Sequence, residues 1–380
     1  MSEKHTIDTS PSAAAAGPPN SKKVSSAAPV GASTGQESSG SSGQGAPDGD
    51  TVNGGTGTFG SRMLSSDRNV FEHNAWDHVE PDDDHRMYAE GQIRLHREYP
   101  VPEEERERYN DRPAEFWDSF YEINKDKFFK DRHWLRVEFA EMFQWTDKRK
   151  STTAAACAAS KDNDSIIAEA AAATAEKETV PETRSEKFRI MEVGCGAGNT
   201  VFPLLNDIYD PRLFVYACDY SKTAVDVVKL NEAYNEDRCS AFAWDLSSTE
   251  LPPQVEPESV DILLMIFVFS ALHPDQWSQA VDNAYKLVKP GGVILFRDYG
   301  RNDLAQLRFK KSRLLAENFY IRGDGTRVYF FTNEELATLF GKRFVVEQNA
   351  IDRRLIVNRK RELKMYRVWL QAKFRKPIDH

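Results

Sequence analysis

The sequence predicts an α/β fold, a doubly wound and mostly parallel sheet closed by an antiparallel C-terminal hairpin. Three observations carry this expectation. From Glu186 onward, short β-branched and apolar runs alternate with helix-spaced stretches. A glycine turn, Gly194-Cys195-Gly196-Ala197-Gly198, separates the first such run from the first helical one. The closing stretch from Phe344 to Phe374 alternates with period two, as paired antiparallel strands do.

Taken in order, Arg189 to Val193 reads as a short buried strand, and Val201, Leu204 and Leu205 supply helix spacing beyond the glycines. Pro203 is tolerated only in a first turn, which puts the helix start near Asn199 or Thr200. "LFVYACDYS" is a second strand ending in Asp219, and "SAFAWDLSS" a third ending in Asp245. Val260 to His273 is one continuous apolar run, as a strand buried on both faces requires. Trp277, Ala280, Val281, Ala284, Leu287 and Val288 make a helical stripe stopped by "KPGG", and "VILFRDYG" is a fifth strand. With the hairpin this gives a seven-stranded sheet on the class I (Rossmann-like) methyltransferase plan over residues 187–380.

Composition divides the rest. Residues 1–68 are rich in Ser, Gly, Ala and Pro, with too little apolar surface to offset backbone ordering, and read as a disordered tail. Residues 69–145 read as an N-terminal helical region, and the Ala-rich 146–186 as a flexible insertion. Neither a signal peptide nor a transit peptide is legible, nor an apolar run long enough for a membrane span; the cytoplasm is expected, and the nucleus with it. Four cysteines without paired spacing exclude a disulfide frame and a zinc site, so no metal is expected. The chain carries a net charge of -9, yet Arg297 to His380 holds twenty Lys and Arg against ten Asp and Glu. A basic third on an acidic protein suits a polyanion met on one face; a merely solvated charged surface is the alternative.

The glycine turn decides the ligand class. Gly194, Gly196 and Gly198 read G-x-G-x-G, and Asn199 stands where the dinucleotide fingerprint has its third small residue. No Gly-Lys-Ser/Thr follows, which excludes a P-loop. Glu192, just before the turn, would repel a pyrophosphate and suits a cationic amino or sulfonium group, which points to S-adenosyl-L-methionine. Asp219 is placed for the ribose hydroxyls, and Asp245 with Leu246 for the adenine edge.

The residues after the fourth strand, Ile266-Phe267-Val268-Phe269-Ser270-Ala271, separate reaction types. They hold neither the Pro-Pro box of exocyclic-amine methylation nor a cysteine for carbon-5 attack. An acceptor that already has a lone pair remains, and ring N3 of cytosine is one, needing neither a general base nor a covalent step. The enzyme's work is then in-line positioning and favourable dipoles near the developing charge.

The sequence resembles the tRNA N3-methylcytidine methyltransferases, closest to the branch acting on threonine tRNAs. The resemblance is carried by "VFEHNAWDHVE", "FWDSFYEINKDKFFKDRHWL", "MEVGCGAGNTVFPLL", "VYACDYS", "IFVFSALHPDQW", the long Leu295 to Thr332 stretch and "YRVWLQAKF", from Asn69 to Pro377 outside the Ala-rich insertion. It implies 3-methylcytidine formation at tRNA position 32. It also implies that Trp117 and Tyr121 close over the cofactor, with Gly194, Asp219, Asp245, Leu246 and Ile266 completing the pocket. Spacing alone reads Phe116, Trp117, Phe120 and Tyr121 as an amphipathic helix stripe packed on the core.

Lys130, Arg132 and His133, interleaved with aromatics, suit phosphate contact and base stacking, or are solvated charges at a helix start. Asp298 or Tyr299 is expected to face the flipped cytosine; an Arg297 to Asp298 ion pair is the structural alternative. Arg308, Lys310, Lys311 and Arg313, with Arg322 and Arg327 around the "GDGT" turn, are assigned to tRNA phosphates. tRNA is the expected partner, and a protein that presents it stays open. A tRNA-binding scaffold without turnover, a serine or other tRNA specificity, and a small-molecule methyltransferase are the rival readings.

Overall fold

The structure, a computed structural model, describes residues 62–145 and 186–378. Of the tail expected over 1–68, residues 1–61 lie outside the described residues, as do residues 146–185 of the insertion expected over 146–186. Residues 62–68 of the expected tail are among the described ones. Arg62 N–H donates to Asp77, Met63 bridges the same residue and Leu64 packs beside Trp76, so the ordered chain already includes residues 62–68.

In chain order the strands are β1 (Ala75–Asp77), β2 (Phe188–Val193), β3 (Leu213–Asp219), β4 (Cys239–Ala243), β5 (Val260–Ile266) and β6 (Val288–Tyr299). Then come β7 (Leu314–Ala316), β8 (Phe319–Ile321), β9 (Arg327–Tyr329), β10 (Val345–Asn358) and β11 (Leu363–Arg375). The main sheet runs β1-β10-β11-β6-β5-β2-β3-β4, parallel from β6 to β4 and antiparallel across β11, β10 and β1. Chain order reverses at β2, which lies between β3 and β5, so a crevice opens outside its carboxyl end. This is the class I methyltransferase plan with an eighth strand added. That strand, only three residues long, buries Trp76 at the sheet edge, and three residues are too few to show a period.

Two further boundaries differ from expectation. Val288 opens β6 instead of closing a helix; Val260 pairs with Val288 and Ile262 with Val293, so Lys289 to Gly292 bulges out of the ladder. The apolar run from Val260 stays a strand only to Ile266, because Phe267 takes a left-handed backbone (φ 57°) and a 3₁₀ turn, Phe269–Ala271, follows.

Helices α1 (Asp83–Glu98), α2 (Glu103–Asp111), α3 (Pro113–Asn124) and α4 (Leu135–Glu138) form the N-terminal region. Helices α5 (Val201–Asp207), α6 (Lys222–Lys229), α7 (Trp277–Leu287), α8 (Leu304–Leu307) and α9 (Asn333–Phe340) accompany the sheet. Apolar clusters fill both faces of the parallel strands, which is why β5 is buried at every position. Helix α3 docks where Asp118 accepts from Ser221 Oγ (2.6 Å) and Thr223 N (3.1 Å) at the start of α6. The hairpin turn between β8 and β9 closes with Arg322 N donating to Thr326 O, and a Cβ on Gly325 would strike Phe116 of α3. The N-terminal region therefore sits over the carboxyl edge of the sheet, against both the cofactor-side helix and the β7–β9 insert.

Candidate active site

The glycine turn is shaped by backbone need. Gly196 has φ 54°, a left-handed value, and a Cβ there would fall on the Tyr121 hydroxyl. Gly194 (φ 70°) lies so close to Val268 that its Cβ would approach Cγ2 to 2.5 Å. Asp219 fixes the turn from the next strand: Oδ2 accepts from Gly196 N (2.8 Å) and Oδ1 from Ser221 N (2.9 Å). Each oxygen keeps an acceptor site for a hydroxyl. Burial pushes the Asp219 carboxyl up to about 6. Asp245 lies two residues past β4, where Oδ1 accepts from the amide and hydroxyl of Ser247, beside buried Leu246. Gly194, Gly196, Asp219, Asp245, Leu246 and Ile266 line one continuous cavity with Trp117 and Tyr121. Gly198 (φ 86°) is not on its wall and packs instead against Phe202.

Glu192 corrects the expectation in its detail. The residue lies behind the wall formed by Val193 and Gly194, fully buried, and Oε1 accepts from Arg132 (2.8 Å). Arg132 also donates to Thr200 Oγ1 (3.0 Å), and Glu192 Oε2 is buried without a hydrogen-bond partner. Burial pushes this carboxyl up to about 7 against the downward pull of Arg132. So Arg132, expected at RNA, turns inward and ties the N-terminal segment to β2. Asn199, where the dinucleotide fingerprint has its third small residue, does the same from the other side: Nδ2 donates to Phe129 O and Asp131 Oδ1, both at 3.2 Å. The neighbouring Lys130 and His133 are exposed.

The far half of the cavity is built from β6, β10, β11 and the FFKDRHW segment. Arg297 is sandwiched between the rings of Trp134 (4.9 Å) and Trp369 (5.0 Å), and pairs with Asp352 (2.5 Å) and Gln371. The alternative Arg297 to Asp298 pair is thereby excluded: successive residues of a strand face opposite ways. Arg354 and Arg367 also lie over Trp369; the first is held by Glu138 (3.0 Å), the second by Asp303 (2.9 Å). Tyr299 lines the cavity, with Phe267 at 4.9 Å between ring centroids.

Asp298 does not line it. Its Oδ2 accepts from Ser270 N and its Oδ1 from Tyr299 N, both at 2.8 Å, and burial pushes its carboxyl up to about 6. Its position corrects the expectation of contact with a base: the carboxylate braces the loop after β5. Of the two candidates only Tyr299 is on the cavity.

The basic residues of the β7–β9 insert divide. Arg308, Lys310 and Lys311 are exposed, Lys311 lying over Tyr99, and half-buried Arg313 donates to Arg322 O. Arg322 and Arg327 line the cavity instead. Arg327 is buried, donates to Asn110 Oδ1 (3.3 Å) and Ala271 O (3.2 Å), and is pushed down to about 10 by that burial.

Phe267, Trp134, Glu138, Arg354, Arg367 and Trp369 are lining residues that sequence reasoning did not single out. The inward members of β11 stand at alternate positions, Arg367, Trp369 and Gln371, so polar residues on an inward hairpin face were the available signal. Cys195 lines the cavity too, but burial raises its thiol well above the usual range, which leaves no thiolate for covalent attack on a base. Among the described residues no group of His, Cys, Asp and Glu is placed to hold a metal ion, and no helix is long and apolar enough to cross a membrane.

A turn with no room for a Cβ at Gly194 or Gly196, an acid at the end of β3 and another beyond β4, all on one cavity, fit S-adenosylmethionine. The fold and site define an S-adenosylmethionine-dependent class I methyltransferase. Residues 191–294 match the family model described as a methyltransferase domain. The chain is 48% identical over 319 residues to the tRNA N(3)-methylcytidine methyltransferase trm140 of Schizosaccharomyces pombe, covering 84% of this chain and 92% of that one. It is 47% identical over 322 residues to the tRNA(Thr) (cytosine(32)-N(3))-methyltransferase of Saccharomyces cerevisiae, covering 84% and 46%. To the human tRNA N(3)-cytidine methyltransferase METTL2B it is 42% identical over 354 residues, covering 84% and 94%. A solved S-adenosylmethionine-dependent methyltransferase from Methanosarcina mazei aligns with 51% of this chain and 94% of its own at 17% identity, with a TM-score of 0.39. This chain belongs to the tRNA N3-cytidine methyltransferase family.

Proposed function

We propose that this protein methylates N3 of cytidine 32 in the anticodon loop of tRNA, mainly of threonine tRNAs. The observation that carries the reading is the single cavity in which a glycine-turn cofactor half meets an aromatic and arginine-lined acceptor half. When bound, S-adenosylmethionine supplies an electrophilic methyl on a sulfonium. Gly194 and Gly196 let the backbone approach it, Asp219 and Asp245 take its ribose and adenine edges, and Trp117 and Tyr121 cover it. The cytosine N3 lone pair is free at neutral pH, so positioning and exclusion of water are the residues' tasks.

Anticodon-loop bases are splayed at low unstacking cost, which lets a base reach a cavity this deep. Exposed Arg308, Lys310 and Lys311, with Arg313, Lys130 and His133, take tRNA phosphates outside; Arg322 and Arg327 meet the RNA from within the cavity they line. Glu192 and Arg132 hold the wall behind the cofactor, and Asp298 the loop that carries the acceptor side. Residues 69–145 act as the cover that meets both cofactor and tRNA. The location follows the substrate, in the cytoplasm and in the nucleus. A protein that presents the tRNA would meet this same N-terminal face.

The test is incubation with methyl-labelled cofactor and total tRNA from a strain lacking the enzyme, followed by nucleoside analysis. Label in 3-methylcytidine, lost when position 32 of a threonine tRNA transcript is changed to uridine, is the expected result. Label in another nucleoside, or none, refutes the proposal.

A further inference from the structure

The backbone at Phe267 is unusual. A bulky residue at φ 57° occupies a region that side chains other than glycine, asparagine and aspartate rarely enter, and such conformations persist only where the surroundings over-determine them. Here they do. Phe267 N donates to Arg297 O (2.7 Å), Ala271 N to Val268 O (3.0 Å), and Asp298 fixes Ser270 N (2.8 Å). On one side Ile266 lines the cofactor half; on the other Val268 fits into the space left by the missing Cβ of Gly194. The consequence of the reversed backbone is that the Phe267 ring reaches the cavity wall beside Tyr299, half-buried, at the junction of cofactor and acceptor halves.

We propose that the Phe267 ring is the platform on which the target cytosine stacks, fixing the base plane so that N3 points along the methyl-transfer line. This rests on the function proposed above. The guanidiniums of Arg297, Arg354 and Arg367 in the acceptor half are each ion-paired, so what this wall offers a base is aromatic surface. Phe267 and Tyr299 are tilted by 49° and form no parallel slot, and half-buried Phe267, packed on the core behind it, keeps part of its surface on the cavity for a single ring. The left-handed turn is then the cost of placing an aromatic ring where a regular strand would carry it past the site.

Glycine accepts this φ without strain and asparagine tolerates it, so Phe267→Gly and Phe267→Asn keep the backbone and delete the ring. Phe267→Tyr keeps the ring. Under the proposal, Phe267→Gly and Phe267→Asn lower kcat/KM on threonine tRNA about five- to 150-fold, the usual range for loss of one base–aromatic stack. Relief of the strained φ offsets part of the packing lost with the half-buried ring, so their melting temperature shifts by only a few degrees and S-adenosylhomocysteine still binds. Phe267→Tyr stays within about threefold of wild type. A fluorescent cytidine analogue at position 32 is quenched on binding wild type and Phe267→Tyr but not the ring-less variants. Ring-less variants of unchanged activity, or equal quenching by all, overturn the inference while leaving an active wild type intact. A wild type inactive on every tRNA would instead overturn the function beneath it.

Discussion

Replacing Gly196 by alanine probes the cofactor turn at its tightest point. A left-handed φ of 54° costs an L-residue about 1–2 kcal/mol. The new Cβ also lands on the Tyr121 hydroxyl, and Tyr121 is buried against the turn, so the ring must leave its preferred rotamer at about another 1 kcal/mol. The two terms together predict a loss of about 2–3 kcal/mol, read as a roughly 30- to 150-fold weaker binding of S-adenosylhomocysteine. Titration calorimetry measures it, with the melting temperature recorded to separate local from global damage. The steric part is removable: Tyr121→Phe deletes the struck atom. The double variant is therefore expected to bind about five-fold better than the two single effects would predict if they simply added. Wild-type affinity in Gly196→Ala, or strict additivity in the double variant, would refute the reasoning.

Three other outcomes follow from the same geometry. Arg132→Ala removes the partner of a carboxyl that burial already holds at about 7, so Glu192 takes up a proton. With the Arg132 hydrogen bonds to Glu192 and Thr200 lost, stability should fall by about 1–3 kcal/mol, part of it recovered when Glu192→Gln is added, as chemical denaturation will show. Asp298 sits near 6 in the folded protein and near 3.8 otherwise, so between about pH 4 and 6 the folded state holds a proton the unfolded chain has released. Its contribution to stability therefore falls as pH rises through that window, by about 3 kcal/mol, and unfolding midpoints of Asp298→Asn should lack this component relative to wild type. Changing Arg308, Lys310 and Lys311 together to alanine should weaken tRNA binding and flatten the log–log salt dependence by about 0.7–0.9 for each phosphate no longer neutralised, with cofactor affinity unchanged.

The parallel half of the fold was legible because its signals are local. Each strand from β2 to β5 is an apolar run followed by a turn, and Gly194, Gly196, Asp219 and Asp245 occupy strand ends whose positions chain order alone supplies. Glu192 shows the limit of that reading: its charge and place were legible, but Arg132, sixty residues earlier in the chain, takes its carboxylate. Asp298 and Tyr299 are adjacent, and only the pleat decides which of them meets the cavity. The acceptor wall was the least legible part. Trp134, Arg297, Arg354 and Trp369 come from four separate elements and meet only when β10 and β11 pair beside β6. The reversed backbone at Phe267 has no composition signal, since it is enforced by β6 and the Asp298 carboxylate. Strand β1 was missed because its one strong anchor, Trp76, stands in a run too short for a pattern.

The central claim is that the cavity delivers a methyl to the ring nitrogen of one anticodon-loop cytidine. Single-turnover transfer to a threonine tRNA carrying 3-deazacytidine at position 32, in which that nitrogen is a C–H, tests it most directly. Binding within a few-fold of the unmodified tRNA and no methyl transfer are the expected result. Methyl incorporation into the deaza tRNA at the normal rate would contradict it.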